Sequence, residues 1–314
     1  MEKPRYGILS TSSIAPRFIA AVHEADAGEI VAVSSRSAEK ALQKAGEWNI
    51  PKAYGSHDAL LNDPDVNTVY ISTVNAQHYP WAKAALEHGK HVICEKPCTT
   101  SAEQTRELFA LAREKNLFFM EAQKMLFLPT IIEVKRRIEV GELGEIREAK
   151  LSHSFSASYN TWMFDLEAGG GTLLSSGIYA VQLIEWFFGK ITNIGGEFHI
   201  GPSGTEMEYT LSGKTESGVM FEMANSALIT LDNTAHITGT KGRVDIPEYW
   251  KARKAVFHID GKEPETIGFP CEHELVYEAR HIAECLEKGL LTSPVVTEEV
   301  SVGGIEALEL AKQS

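Results

Sequence analysis

Over roughly the first 120 residues, short apolar runs alternate with stretches whose apolar positions recur at helical spacing, the sequence form of a parallel sheet with crossover helices. The runs at 6–9, 30–34, 69–73, 91–94 and 118–121 read as strands. Residues 14–25, 38–48 and 78–87 carry helical spacing between them. Gly89 stands where a helix C-cap belongs, and Ser101-Ala102-Glu103-Gln104 has capping-box spacing ahead of Leu108, Leu111 and Ala112. After Pro129 the pattern changes. A helix with Ile131, Val134 and Ile138 on one face ends at Gly141, a strand covers 146–155, and a Gly-introduced helix covers 172–188. β-type alternation then dominates, at 191–199, 219–223, 236–239 and 255–259. Two helices close the chain, one with Leu275, Ala279, Ile282 and Leu286, the other with Ile305, Leu308 and Ala311. Strands grouped in this way predict an α+β second half with a large, mostly antiparallel, open-faced sheet. The expected division is an α/β domain with a doubly wound parallel sheet, 1–122, and an α+β substrate-binding and oligomerisation domain, 123–314, with a tight junction near 121–129. On the open face, alternating Val219, Phe221 and Met223 would expose a patch too apolar for a monomer, which predicts a homodimer or a tetramer.

Composition narrows the class of partner. A chain of 314 residues, 43% apolar, can bury two cores, and a formal net charge of -13 repels phosphate backbones and anionic lipid heads. Nucleic acid and membranes are therefore not the expected partners, and a small molecule is. No apolar run approaches ~20 residues and the opening residues lead into a strand, so a cytoplasmic protein is expected. Cys94, Cys98, Cys271 and Cys285 form no CxxC pair, and no histidine stands at metal spacing from them. Buried free thiols and no metal site are the expectation.

Between the first strand and the first helix lies Ser10-Thr11-Ser12-Ser13-Ile14-Ala15, a G-x-G-x-x-A frame with serine at both leading positions. Such a turn keeps the backbone small where a pyrophosphate approaches a helix N-terminus, although a plain strand-turn-helix has the same outline. The second strand ends in Ser34-Ser35-Arg36-Ser37, with no carboxylate for the ribose hydroxyls of NAD. Arg36 offers a planar cation to the 2′-phosphate of NADP, or simply begins a solvated helix. NADP is the expected cofactor, with NAD the alternative.

Further along come Thr73, Val74, Asn75 and His78, and then Gly89-Lys90-His91-Val92-Ile93-Cys94-Glu95-Lys96-Pro97. With these segments the chain resembles the glucose-fructose oxidoreductase and inositol dehydrogenase family, Gfo/Idh/MocA. Within that family it is most similar to dimeric dihydrodiol dehydrogenases and NADP-linked aldose dehydrogenases. Phe119-Met120-Glu121-Ala122 with Phe127-Leu128-Pro129, Trp162 and Asp165 ahead of Ala168-Gly169-Gly170-Gly171-Thr172, and Tyr179 extend the likeness over nearly the whole chain. The resemblance implies a Rossmann domain whose cofactor site takes in residues 10–14 and 35–37, Thr73, Val74, Asn75, His78, Glu95 and Lys96. It implies a substrate site of Lys96, Trp162, Asp165, Ser175 and Tyr179, with a Lys96–Pro97 bond that is often cis. Relatives usually carry aspartate where Ser175 stands and often arginine where Leu126 stands, which puts the substrate in question.

The expected reaction is hydride transfer between a nicotinamide and a CH–OH group of a sugar, polyol or related diol, or the CH–CH unit of a dihydrodiol. Tyr179 is expected as the acid/base group and Lys96 as the cation favouring its phenolate, with the two roles open to exchange. Tyr179 packed in the core with its hydroxyl satisfied is the plainer alternative. The alternative to an enzyme is a dinucleotide-binding regulatory or sensor protein of weak or no activity. Gly213-Lys214-Thr215 reads as a hairpin turn rather than a phosphate loop, and His153, His236 and His258 as solvated or satisfied histidines.

Overall fold

The computed structural model describes residues 3–156 and 161–313. Its first part runs β1 (Arg5–Leu9), α1 (Ala15–Ala25), β2 (Glu29–Ser34), α2 (Ala38–Glu47), β3 (Lys52–Tyr54), α3 (His57–Leu61), β4 (Thr68–Ile71), α4 (His78–Glu87), β5 (His91–Glu95), α5 (Ala102–Lys115) and β6 (Phe119–Ala122). These strands form one six-stranded sheet in the order β3-β2-β1-β4-β5-β6, every pair parallel. Order reverses between β1 and β4, which opens a crevice at the carboxyl ends of the strands. β4 is buried at every position, as a strand covered on both faces must be. β3 and α3 escaped the periodic reading because they span only three and five residues.

Two motif residues prove to be braces. Lys90 Nζ donates to the carbonyls of Asp63 at 2.8 Å and Val66 at 2.7 Å, tying the loop before β4 to the start of β5. His91 Nδ1 accepts from the Phe118 amide at 2.9 Å. The capping box expected at Ser101 does not form: its hydroxyl makes no capping bond, and its own amide is taken by Thr99 Oγ1 at 3.3 Å.

The second part continues with α6 (Pro129–Glu139), β7 (Ile146–Ser154), α7 (Ile178–Phe188), β8 (Ile191–Ile200), β9 (Glu206–Thr215), β10 (Met220–Ser226), β11 (Thr234–Gly239), β12 (Gly242–Pro247), β13 (Lys254–Ile259) and β14 (Glu265–Gly268). They build an eight-stranded sheet in the order β14-β13-β12-β11-β7-β10-β9-β8, antiparallel except where β7 meets β10. Gly213, Lys214 and Thr215 lie within β9, not in the hairpin turn expected there; the turn comes after them, with Gly218 at φ +91°. α6 and α7 cover one face, and α7 is buried nearly all round.

The sheet corrects the patch argument for assembly. Val219, Phe221 and Met223 are buried, at 4%, 1% and 1% exposure, on the face that the helices cover. Period-two alternation says that one face is apolar and not which face the helices take. The opposite face carries Glu148, Lys150, Thr210, Ser212, Glu222 and Arg243. His236 and His258 lie there too, bonded to Asp245 at 2.7 and 2.9 Å. His236 is held above its ordinary value: burial opposes this, and the bonds to Asp232 and Asp245 outweigh it.

The last helices are α8 (Val276–Glu287) and α9 (Glu298–Ala311). The chain forms two compact units, Met1–Gln123 with His273–Glu299, and Lys124–Glu272 with Val300–Ser314. The segment His273–Glu299, expected with the second domain, therefore groups with the first. α8 packs on α1, Glu274 pairs with Arg17, and Leu291 O accepts from the Phe119 amide at 3.1 Å. An amphipathic stripe predicts burial without naming the core that receives it.

Within the second unit, Gly303 leaves room for the Glu185 carboxylate, since a Cβ there would lie 2.4 Å from Oε2. Burial pushes Glu185 up to about 7, although its Oε1 accepts from the Ile191 amide at 2.9 Å. Below an ordinary value of 4.5 the carboxyl is neutral in folded and unfolded chains alike. Between 4.5 and 7 the unfolded chain loses the proton first, so stability falls with rising pH and the penalty persists above 7. At about 1.4 kcal/mol per pH unit, and allowing for partial exposure, the loss is roughly 1–2 kcal/mol. Glu185→Gln keeps the acceptor and is expected to raise the thermal midpoint at pH 8 but not near pH 4. Equal gains at both pH values would refute the assignment.

Candidate active site

The turn after β1 has the backbone of a glycine turn without the glycine. Ser10 sits at φ +120°, a region that L side chains rarely enter. Ser12 Oγ donates to Ser72 Oγ at 2.8 Å, Ser13 is exposed, and Thr11 and Ile14 are half-buried. α1 begins after Ile14 with no side-chain cap; Ser12 O accepts from the Ala15 amide at 3.3 Å and Ile14 O from the Arg17 amide at 3.0 Å, and Pro16 between them has no amide hydrogen. After β2, Ser37 Oγ caps α2 by accepting from the Lys40 amide at 3.3 Å, and Ser35 Oγ accepts from the Ser37 amide at 3.4 Å. Arg36 between them is exposed and, among the described residues, has no hydrogen-bond or ion-pair partner.

Beyond β4, Thr73 Oγ1 is buried and finds no hydrogen-bond partner among the described residues. Val74 is half-buried, and Asn75 is buried. The fully enclosed His78 stands with Nδ1 2.7 Å from Pro97 O and Nε2 3.1 Å from Thr73 O. Burial lowers its pKa, against the pull of both carbonyls, and the neutral ring donates to one of them. Set between the two carbonyls, His78 packs the segment after β4 against the one after β5. There Tyr70 donates to Glu95 Oε1 at 2.5 Å, and the Lys96 amide donates to Glu95 Oε2 at 3.3 Å. Lys96 is half-buried, and its peptide bond to Pro97 is cis. The first unit thus brings residues 10–14, 35–37, 73–78 and 95–96 to the carboxyl ends of β1, β2, β4 and β5.

These features fit a dinucleotide. The small residues Ser10 to Ser13 let a pyrophosphate approach the turn before α1, the Thr73 hydroxyl lacks a partner that a ligand oxygen can supply, and Arg36 is an unengaged cation. Cys94, Cys98 and Cys285 are buried free thiols and Cys271 is half-buried; burial raises Cys94 and Cys98 well above the ordinary thiol range, which leaves them inert as nucleophiles.

In the second unit Trp162 is 40% exposed on a single 3₁₀ turn, Trp162–Phe164. Asp165 spends Oδ1 on the Glu167 amide at 2.9 Å, holding the turn beyond it. Gly170 admits no side chain, because a Cβ would meet Met163 O at 2.6 Å. The chain then winds through a π-helical turn, Leu173–Gly177, straight into α7. Such turns concentrate at functional sites. Ser175, inside it, returns its hydroxyl to Gly171 O. Ser175 and Tyr179 therefore do not stand in the register of a regular helix.

Tyr179 is 8% exposed, and its oxygen accepts from Lys124 Nζ at 3.1 Å. Lys124 was not among the residues singled out from the sequence. It is buried on the 3₁₀ turn Lys124–Phe127, with Met125, Leu126 and Phe127 buried beside it. A lysine inside an apolar run was the signal, since a buried ammonium needs a partner. Close by in the fold, Asn225 Nδ2 bonds Ser176 Oγ and stands 3.2 Å from His153 Nδ1, and His153 packs edge-on to Trp250. His153 is thus a satisfied histidine of the covered face.

Comparison with known proteins agrees with this geometry. Residues 5–123 match the Gfo/Idh/MocA oxidoreductase family with its NAD-binding Rossmann fold, and residues 131–245 match the family's C-terminal domain. The chain is 35% identical to trans-1,2-dihydrobenzene-1,2-diol dehydrogenase of Mus musculus, over 99% of this chain and 96% of the relative. It is 34% identical to the Homo sapiens protein of that name, over 93% and 91%. A 3-ketoreductase from Actinomadura kijaniata, solved with NADP and TDP-benzene, superposes with a TM-score of 0.90 at 25% identity over 99% of this chain and 98% of that one. The chain belongs to the Gfo/Idh/MocA family of NAD(P)-dependent oxidoreductases.

Proposed function

We propose an NADP-preferring dehydrogenase that acts on a CH–OH group of a sugar, polyol or related diol, with Lys96 and Tyr179 as its catalytic residues. The observation that carries this reading is the gathering of Ser10, Thr73 and Lys96 at the carboxyl ends of β1, β4 and β5, where ligands of doubly wound sheets bind. Relatives named for a dihydrodiol and a 3-ketoreductase solved with NADP support the cofactor and the alcohol–carbonyl couple. The bound dinucleotide supplies the hydride acceptor or donor. Residues 10–14 hold its pyrophosphate, Arg36 its 2′-phosphate, and Thr73 a further oxygen. Lys96 bonds the substrate oxygen, and Tyr179 takes or gives the proton at that oxygen. Trp162 offers an exposed indole for a ring or sugar face, while Asp165 and Ser175 shape the approach through their backbone bonds.

No described helix is long and apolar enough to cross a membrane. A homodimer through the open sheet face rests on the family likeness alone, since that face is polar. The test of function is reduction of NADP by a panel of aldoses, polyols and trans-dihydrodiols, monitored at the absorbance of NADPH. Turnover is expected with at least one class, and faster with NADP than with NAD. Tight dinucleotide binding without turnover in either direction on any member would favour the regulatory reading instead.

A further inference from the structure

The second unit buries three tyrosines near the π-helical turn, and one of them meets a cation. Tyr209 and Tyr249 are fully buried, and burial raises both hydroxyls, so they stay protonated. Tyr179 instead has Lys124 Nζ at 3.1 Å from its oxygen and 4.9 Å from its ring centroid. An ammonium has only donors. The phenol oxygen must therefore accept from Lys124, and its own proton must be given elsewhere. We propose that Lys124 is the positioning residue that fixes Tyr179 as a proton donor and holds the negative charge left on its oxygen. This rests on the reading of Tyr179 as the acid/base group.

In the reducing direction, Tyr179 gives its proton to the substrate oxygen while the carbonyl carbon takes a hydride from the reduced dinucleotide. The phenol O–H bond breaks, an alcohol O–H bond forms, and the phenolate stays paired with Lys124 until solvent returns a proton. Oxidation of the alcohol reverses each step. The burial of Lys124 among Met125, Leu126 and Phe127 strengthens the pairing, because little water screens it.

The experiment is a tyrosinate absorbance titration of the full chain, with Tyr179→Phe subtracted to isolate one tyrosine among nine. Lys124→Met is expected to move the Tyr179 transition to higher pH by about one to three pH units. Lys124→Arg should hold it near its starting position. The acidic limb of turnover against pH, measured in the oxidising direction with the best substrate of the panel, should move with the titration, because Tyr179 must there be deprotonated to take the proton. Lys124→Gln repeats the measurement should the methionine variant misfold. A Tyr179 transition that stays put in Lys124→Met and Lys124→Gln overturns the proposal, whatever the turnover. Full turnover in Tyr179→Phe would instead overturn the functional reading and leave the titration result standing.

Discussion

Tyr179→Phe and Lys96→Met are each expected to lower turnover by about two to four orders of magnitude, the usual contribution of one positioned acid/base group. If both side chains serve one proton transfer at one substrate oxygen, as proposed, the double variant should fall little further than the worse single variant. Cofactor affinity should largely survive, since all the residues read as holding the dinucleotide except Glu95 and Lys96 lie beyond β1, β2 and β4. Tyr179→Phe also keeps the ring that packs beside Lys124, so a loss there reports the hydroxyl. Lys96→Met leaves in place the backbone bond from the Lys96 amide to Glu95 and the bond from Tyr70 that anchors it. The check is steady-state turnover of each variant with NADPH fluorescence titration beside it. Near-parental turnover in either single variant would remove that residue from the mechanism, and multiplicative losses in the double variant would separate the two roles.

What could be read from the chain depended on how each element is buried. Val69-Tyr70-Ile71 and Val92-Ile93-Cys94 are fully enclosed, so their strands appear as unbroken apolar runs and the parallel sheet is legible. The second sheet was legible as a class and not as an arrangement. Asn225 and His153 face each other only because β10 pairs with β7, across more than seventy residues of chain, and no local period encodes that pairing. Choice of face is equally silent, and Val219, Phe221 and Met223 lie on the side opposite to the one that alternation suggested. The helix expected over 172–188 also hid a change of register, since a π-helical turn, Leu173–Gly177, precedes Tyr179. Lys124 was readable in principle, as a charge within an apolar segment, but its partner lies 55 positions away on another element.

Arg36→Ala is expected to weaken NADP binding about tenfold, and at most a hundredfold, with NAD binding nearly unchanged. The three residues after β2 are not equivalent. Ser37 accepts at the start of α2, and Ser35 is buried and accepts from Ser37, so both hydroxyl oxygens already hold the turn in shape. Arg36 is exposed, and the side chain is free to meet a phosphate. Its charge already reaches the neighbouring His57, where burial first and Arg36 second lower the imidazole. Both effects favour the neutral ring, which stands with Nδ1 2.8 Å from Ser34 Oγ and adds no competing charge. A guanidinium–phosphate pair is worth ~1.5 to 3 kcal/mol when shielded, and exposure of Arg36 places it at the lower end. The effect should therefore shrink as salt is raised, whereas weakening caused by a misfolded turn would not. Fluorescence titration of both dinucleotides at two ionic strengths makes the measurement. Equal or tighter binding of NAD by the unmodified protein would show that Arg36 begins a solvated helix and reads no phosphate.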